Sequence, residues 1–343
     1  MVDCEGKRSL KRVCQWWNQV TKETTTCLAV RCPGGMRGLI GYPRLKTLHI
    51  SGIHVSEAHY QGGKYMLNLT KLDFYQVTNI PFDIVSQLPY LTSLAIRNSE
   101  MVSMDGLDKL TMLEELKLDS VISSFAFPVS ACHPKLRKLS IIECFCIRVQ
   151  TRFLGCCRNL EYLHIDSSLS APINDISFVR NTPNLYHFAI AACCGENTSI
   201  FSLEPLSTLK NLEYVNLKGI PEADYSPLFE LESLRRFIPG IVTDDEFLGM
   251  LRGMKSAKYL ESIELADNDD LTDEALAELP ELCPNLYRLL IFDCLCITQN
   301  AVHSLKQLKH LTCLQLSPEV WWGSFSNLDE WRSLCCNVCL DDL

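Results

Sequence analysis

The sequence predicts an α/β fold of the solenoid type, and three observations support this prediction. The apolar frame Leu-x-x-Leu/Ile-x-Leu/Ile is clearest at residues 260–265, 286–291 and 311–316. Between the first two of these frames, the stretch from Thr272 to Leu282 has a pattern suited to a helix. Related frames recur in register along the chain, at intervals of 22 to 27 residues. A short strand, a turn and a helix renewed at this period are the signature of a leucine-rich repeat.

Twelve frames are present, and each begins with a leucine. These first leucines are Leu45, Leu69, Leu91, Leu113, Leu136, Leu160, Leu185, Leu212, Leu234, Leu260, Leu286 and Leu311. Strand side chains alternate between the two faces of a sheet, so the apolar residues of each frame should point inward. The third, fifth and seventh positions should then point outward. Twelve such strands stacked in parallel would form the inner sheet of a curved horseshoe, roughly 50 Å long.

The extent of the frame divides the chain into three segments. Residues 42–317 form the predicted leucine-rich-repeat solenoid. Residues 1–41 do not fit the frame and are predicted to form a short helical N-terminal cap, because a solenoid must shield the open core of its first repeat. Residues 318–343 break the frame again and contain three tryptophans, which predicts a C-terminal cap.

The segments between the frames predict helices of different lengths. The stretches Thr243 to Met254 and Thr272 to Leu282 each begin with a Thr, and acidic residues follow it. An N-cap Thr accepts a hydrogen bond from a backbone N–H of the first turn, and early acidic residues suit the helix dipole. The repeats of 22 residues are too short for such helices and should contain only a turn or a 3-10 segment.

The chain contains 18 cysteines, and most of them are predicted to be core residues. Cys144, Cys193 and Cys294 each lie eight residues after the first leucine of their frame, at a turn where such repeats bury a small polar residue. A free Cys behaves there as a small hydrophobe. The Cys-x-Cys and Cys-x-x-Cys pairs lack the companion ligands that a structural zinc site needs. We therefore predict no metal and no cofactor.

The composition describes a soluble, folded chain and disfavours several classes of function. The hydrophobic fraction is 47% and the net charge is −9, so neither nucleic acid nor an anionic membrane is favoured as a partner. The N-terminus lacks the apolar core of a signal peptide, and no apolar run is long enough to cross a membrane. No phosphate loop, GxSxG elbow or HExxH motif is present, which predicts a non-enzymatic protein without catalytic residues. We expect a cytoplasmic or nuclear protein that is monomeric outside its complex.

The outward positions of the frame contain two sets of candidate binding residues. The first set combines aromatic rings that have polar tips with charged side chains, on adjacent strands in the middle of the sheet. It consists of Tyr162, His164, Asp166, His187, Tyr214, Asn216, Lys218 and Arg236. The second set is the apolar pair Leu290 and Phe292. Aromatic rings with polar tips and Arg, as in the first set, dominate protein-binding hot spots, and the small Ala189 and Ala191 should leave a depression beside that set. Exposed apolar pairs such as the second set often mark contact sites. We predict a protein partner on the concave face.

Two stretches resemble F-box/leucine-rich-repeat proteins. LTDEALAELPELCPNLYRLLIFDCLCIT, residues 271–298, resembles the cysteine-containing leucine-rich repeat of that family. SLKRVCQWWN, residues 9–18, resembles the later part of an F-box, so the F-box would be truncated. The resemblance implies a substrate-recognition subunit of an SCF-type ubiquitin ligase. Leu10, Val13 and Trp17, which share one face of a predicted helix, would then contact the linker subunit of the ligase.

Three alternatives to this interpretation stay open. Residues 1–41 would be a plain helical cap if the F-box resemblance carries no function. The chain would then be a scaffold or effector that binds a protein partner without any ligase. A small-molecule receptor, with its ligand in the central pocket of the concave face, is the third alternative.

Overall fold

The computed structural model contains two compact units, Met1–Cys157 and Arg158–Leu343, and each is described by itself. The structure describes residues 24–31, 42–52, 67–80, 82–100, 103–122, 133–144, 151–166, 173, 175–191, 202–220, 223–298, 300–316 and 338–340. The predicted helix face of Leu10, Val13 and Trp17 lies outside the described residues. So do Cys193 and the three tryptophans of the predicted C-terminal cap.

The first unit is a parallel sheet in which every strand pairs with the next one along the chain. In its described part the strands are β1 (Cys27–Val30), β2 (Thr47–Ser51), β3 (Lys71–Tyr75), β4 (Ser93–Arg97), β5 (Glu115–Asp119) and β6 (Lys138–Ile142). The connections contain helix α1 (Phe82–Val85), the 3-10 turn Leu107–Lys109 and helix α2 (Thr151–Cys156). The predicted α/β arrangement of short strands and short helices is confirmed. The expectation that 22-residue repeats contain no α-helix is wrong for the repeat that begins at Leu69, because α1 lies within it.

The second unit has the same architecture. Its described strands are β7 (Tyr162–Asp166), β8 (His187–Ala191), β9 (Tyr214–Asn216), β10 (Arg236–Ile238), β11 (Ser262–Ala266), β12 (Arg288–Phe292), β13 (Cys313–Leu316) and β14 (Val338–Leu340). All adjacent pairs are parallel. The connections contain 3-10 turns at Ser177–Asn181, Glu204–Thr208, Ser226–Leu228 and Ala257–Tyr259. They also contain helices α3 (Asp244–Gly253), α4 (Asp273–Ala277), α5 (Leu279–Leu282) and α6 (Ala301–Leu305).

The frame places the core as the sequence predicts. All twelve first leucines are buried, and the most accessible of them, Leu311, is only 7% exposed. The strands β2 to β13 each begin at the third position of a frame. Burial of the apolar positions of each frame removes a continuous strip of hydrocarbon from water, at about 25 cal/mol per Å² of apolar surface. The protein is therefore a leucine-rich-repeat solenoid of the α/β class.

The sheet extends beyond the residues 42–317 that the frame predicts. Strand β1 lies within the segment predicted to be a helical cap, and the Thr26 carbonyl accepts hydrogen bonds from the backbone N–H groups of Lys46 and Thr47. Strand β14 lies within the predicted C-terminal cap and pairs with β13. The sequence hides β1 because Thr25 stands where the other frames have their first leucine, while Leu28 and Val30 keep the later positions.

The longer connecting helices begin where they are predicted to begin, but one of them is divided. Thr243 and Glu246 form a capping box at the start of α3, in which each side chain binds the other residue's backbone N–H. Thr272 caps α4, but the predicted single helix from Thr272 to Leu282 is two short helices that meet at Glu278. Pro280 explains the division, because it has no N–H and its ring would clash with the carbonyl oxygen four residues earlier.

The described turns that follow strands share the same local geometry, except the turn after β10, where Ile241 has no positive φ. The eighth position of the frame has a positive φ in Gln76, Asn98, Ser120, Glu143, Asp267 and Asp293, and in the glycines Gly52 and Gly219. The next position is buried, and Cys144 and Cys294 occupy it with their Sγ atoms 3.2 and 3.3 Å from backbone carbonyl oxygens. The prediction that these two thiols are core residues is confirmed. Burial raises the pKa of both to about 11.

Candidate functional site

Three of the predicted aromatic residues form one continuous stack on the exposed sheet face of the second unit, the face made by the third, fifth and seventh frame positions. Tyr162, His187 and Tyr214 are register partners on β7, β8 and β9. The His187 ring lies 3.9 Å from the Tyr162 ring and 4.0 Å from the Tyr214 ring, with planes tilted by 15° and 3°. We call these three residues the aromatic ladder. Parallel strands in register create it, because they place equivalent side chains about 4.8 Å apart.

The aromatic ladder is uncharged near neutral pH. Burial, the nearby His164 and the nearby Arg236 together lower the pKa of His187 to about 3. Burial, with a smaller contribution from Glu264, raises the pKa of Tyr214 to about 12. Burial also raises the pKa of Tyr162. The ladder therefore presents neutral ring edges and phenol groups rather than an ionised side chain.

Two further aromatic residues contact the ladder at its Tyr162 end. The Tyr162 hydroxyl and His164 Nδ1 are 3.4 Å apart, and the His164 ring lies 5.7 Å from that of His187. The Tyr186 ring meets Tyr162 edge to face at 6.5 Å. His187 Nε2, by contrast, is buried and has no hydrogen-bond partner within the described residues. The predicted residues Tyr162, His164, His187 and Tyr214 are thus brought together as one rigid group.

The expectation that Leu290 and Asn216 are exposed contact residues is wrong. Leu290 is 5% exposed, because it lies between its register partners Glu264 and Gln315, which have longer polar side chains. Asn216 is 7% exposed, and its Oδ1 accepts a hydrogen bond from the backbone N–H of Lys218 at 2.9 Å. Asn216 therefore holds the turn after β9 instead of contacting a partner.

The predicted depression beside the ladder is not open to solvent. Ala189 and Ala191 are 0% and 1% exposed. Ala189 lies in register between His164 and Asn216, whose larger side chains flank it. The flanking side chains therefore cover the sheet face at the alanines. A partner would contact those flanking side chains rather than the alanines.

The remaining predicted residues surround the ladder. Asp166 and Phe292 are partly exposed at their seventh positions. Lys218 is also partly exposed, and its Nζ lies 3.4 Å from a carboxylate oxygen of Asp267. Arg236 is exposed at the third position of β10, beside Tyr214. All four residues have side chains that are at least partly exposed on the sheet face.

Sequence reasoning missed two charged residues of this face. Arg288 is exposed at the third position of β12, in the same row as Arg236. Glu264 is partly buried at the fifth position of β11; burial raises its pKa, and Lys218 and Arg288 oppose that effect. The row of third positions could have identified Arg288, because the residue type and frame position are those of Arg236.

An open groove of about 520 Å³ lies just before the amino-terminal ends of strands β10 to β12, outside the predicted site. It is lined by Arg235, Tyr259, Glu261, Asn285, Tyr287 and His310. The guanidinium of Arg235 lies 5.5 Å from the Tyr259 ring centroid and also donates to the carbonyls of Glu232 and Leu234. These contacts stabilise the edge of the sheet.

The described residues contain no group of three His, Cys, Asp or Glu side chains placed to hold a metal ion. Within the same residues, no helix has both the length and the apolar character needed to cross a membrane.

The comparisons with known proteins identify the fold. No protein-family model matches the chain, and no curated protein matches it. Among solved structures, an internalin from Listeria monocytogenes superposes with a TM-score of 0.58 at 18% identity, over 86% of this chain and 88% of that one. A leucine-rich-repeat protein of Leptospira interrogans gives 0.47 at 15% identity, over 92% and 90% of the two chains. A chain of the yeast Rad7–Elc1 complex gives 0.48 at 15% identity, over 92% and 74%. The internalin likeness supports the leucine-rich-repeat fold and nothing narrower.

Proposed function

We propose that the chain is a non-enzymatic recognition solenoid, and that a protein partner binds the exposed sheet face of its second unit. The observation that carries the proposal is the aromatic ladder beside Arg236. Tyr and Arg are enriched in binding hot spots, and rings that are already packed lose little side-chain entropy when a partner docks. Because the rings are stacked before binding, the face needs little rearrangement when a partner docks.

A steric block tests this proposal without removing any ring from the ladder. Ser262 and Ser93 occupy the third position of a frame in the second and first unit, and both are partly exposed. Ser262→Trp should reduce recovery of the partner in affinity purification and mass spectrometry by about tenfold or more, because the indole would occupy the face between Arg236 and Arg288.

The matched control is Ser93→Trp, which should leave partner recovery unchanged. Both variants should retain the melting temperature, since third positions point away from the core. Equal recovery by both variants and the unchanged chain would show that the partner does not bind this face.

We further propose that the chain is the substrate-recognition subunit of an SCF-type ubiquitin ligase and acts in the cytoplasm or nucleus. The support is the resemblance of residues 9–18 and 271–298 to F-box/leucine-rich-repeat proteins. In the second of these stretches, Cys294 is buried, as the resemblance implies, and Thr272 caps a helix.

Recovery of the cullin linker subunit with the purified chain tests this narrower function. The linker subunit should be lost on Trp17→Ala while the substrate is retained, because the two would bind different segments. If other partners are recovered but the linker subunit is not, the chain is a scaffold that binds its partner without a ligase.

A further inference from the structure

Arg236 and Arg288 are unpaired on the exposed sheet face of the second unit. They occupy third positions two strands apart, with Ser262 in register between them. Within the described residues neither guanidinium forms an ion pair or a side-chain hydrogen bond, although burial raises the pKa of Glu264 and Arg288 lies near enough to that carboxyl to oppose the rise. Arg97, on the sheet face of the first unit, instead donates two hydrogen bonds to Asp73. Two exposed guanidinium groups, on strands about 10 Å apart, can therefore bind an anion.

We infer that the partner presents an acidic segment to this face, and that its Asp or Glu carboxylates pair with Arg236 and Arg288 while the segment lies against Tyr214. This inference rests on the proposed function and names the chemistry of the partner. A guanidinium binds a carboxylate through two parallel hydrogen bonds, which gives both strength and orientation.

The distribution of charge supports an acidic partner. The third positions of β7 to β13 are Tyr162, His187, Tyr214, Arg236, Ser262, Arg288 and Cys313, and none of them is a carboxylate. This row is a positive strip on a chain whose net charge is −9. The nearest acidic residue of the fifth positions, Glu264, is only partly exposed, whereas the side chains of Arg236 and Arg288 are both exposed.

Selection of short random peptides displayed on phage, with the full chain as the target, tests the inference. At low salt the selected peptides should be enriched in Asp and Glu relative to the starting library. The double variant Arg236→Gln/Arg288→Gln should lose that enrichment. The matched control Arg158→Gln, which changes an exposed arginine away from the sheet face, should keep it.

A synthetic copy of a selected peptide then gives the size of the effect. Its affinity should fall about tenfold for each arginine changed, because a hydrogen-bonded charge pair is lost. Replacing the carboxylates of the peptide by amides should cause a similar loss, and added salt should weaken binding.

Three results would overturn the inference. Selected peptides could lack acidic residues, or their enrichment could survive in the double variant. The chain could also self-associate in a way that the double variant abolishes, in which case the occupant is a second copy of the chain. If Ser262→Trp still blocks partner recovery while no acidic peptide is selected, the proposed function stands and the acidic partner does not.

Discussion

The sheet faces of the two units share a backbone frame but differ in how their polar side chains are satisfied. In the first unit, Asp73 accepts hydrogen bonds from both His49 Nδ1, at 3.0 Å, and Arg97, at 2.5 Å. Lys117 pairs with Asp119 at 3.3 Å on the same face. In the second unit, neutral rings stack, and Arg236 and Arg288 have no ion-pair partner among the residues that the structure describes. The frame thus sets where side chains stand, and the residue at each position decides whether the face is already occupied by its own contacts.

The difference explains why we place the binding site in the second unit. A partner that approaches Asp73 or Arg97 must compete with existing hydrogen bonds, and displacing them offsets the gain. A partner that approaches Arg236 meets an exposed guanidinium that has no ion-pair partner among the described residues, beside the stacked rings of the ladder. Four predictions test this comparison, from the largest expected effect to the smallest.

Removing a ladder ring should cost the second unit more stability than removing an exposed ring costs the first. Tyr214→Ala should lower the free energy of unfolding by about 2–3 kcal/mol, because the ring is largely buried between its neighbours. Tyr75→Ala, at a side chain in a residue that is 40% exposed, should cost well under 1 kcal/mol. Chemical denaturation measures both. Equal losses would mean that the ladder is no better packed than a surface ring.

Acid should destabilise the second unit through His187. Its pKa is lowered from about 6.5 to about 3, so the unfolded chain binds the proton first as the pH falls. The stabilising contribution is therefore complete above pH 6.5 and is lost progressively toward pH 3. From pH 7 to pH 5 the loss should be about 2 kcal/mol.

The variant His187→Phe keeps an aromatic ring in the ladder but cannot bind the proton. Its unfolding free energy should fall less between pH 7 and pH 5 than that of the unchanged chain, by about the same 2 kcal/mol. Parallel pH profiles for the two proteins would mean that His187 does not become protonated when the chain unfolds.

The hydrogen-bonded ion network around Asp73 should contribute moderately to the stability of the first unit. Asp73→Ala should lower the unfolding free energy by about 1 kcal/mol, because one carboxylate bonds two partners and its side chain is only 17% exposed. Glu115→Ala is the matched control, since Glu115 is exposed and accepts one hydrogen bond, from Ser93 Oγ. Thermal denaturation should show a smaller shift for Glu115→Ala. A loss at Asp73 no larger than that at Glu115 would show that the network adds nothing.

The smallest effect should come from the pair of Lys117 and Asp119. Both side chains are partly exposed, at 38% and 28%, and an exposed ion pair contributes at most about 0.5 kcal/mol. Lys117→Ala should therefore leave the denaturation midpoint almost unchanged, and added salt should remove the remaining difference. A loss of unfolding free energy above 1 kcal/mol would show that ion pairs contribute substantially to the stability of this face.

The sequence predicts the repeat well and its exceptions poorly. The period of the leucines predicts the strands and their inward positions. The Thr cap and the acidic residues after it predict the start of α3. Each of these signals is a local pattern. The division of the predicted helix at Glu278 depends on Pro280 inside an otherwise helical pattern. Strand β1 is hidden because a threonine replaces the first leucine. Both misses arise where a single residue departs from the pattern around it.

The candidate site depends on neighbours in other strands, and there the sequence is a weaker guide. Alternation predicts that Leu290 points away from the core, but its burial follows from Glu264 and Gln315, 26 and 25 residues away in the chain. Whether Arg236 and Arg288 are available to a partner likewise depends on which carboxylates of the chain lie near them. The register of the sheet predicts the stacking of Tyr162, His187 and Tyr214, whereas burial and pairing needed the structure.

The reactivity of the buried thiols can report where the repeats of the chain open. Burial raises the pKa of Cys283 to about 12 and those of Cys144 and Cys294 to about 11, so an alkylating reagent finds almost no thiolate in the closed repeats. In a repeat protein each unit is held mainly by its neighbours, so openings can be local. The labelling rate of each thiol would then measure the opening of its own repeat, before and after a partner binds.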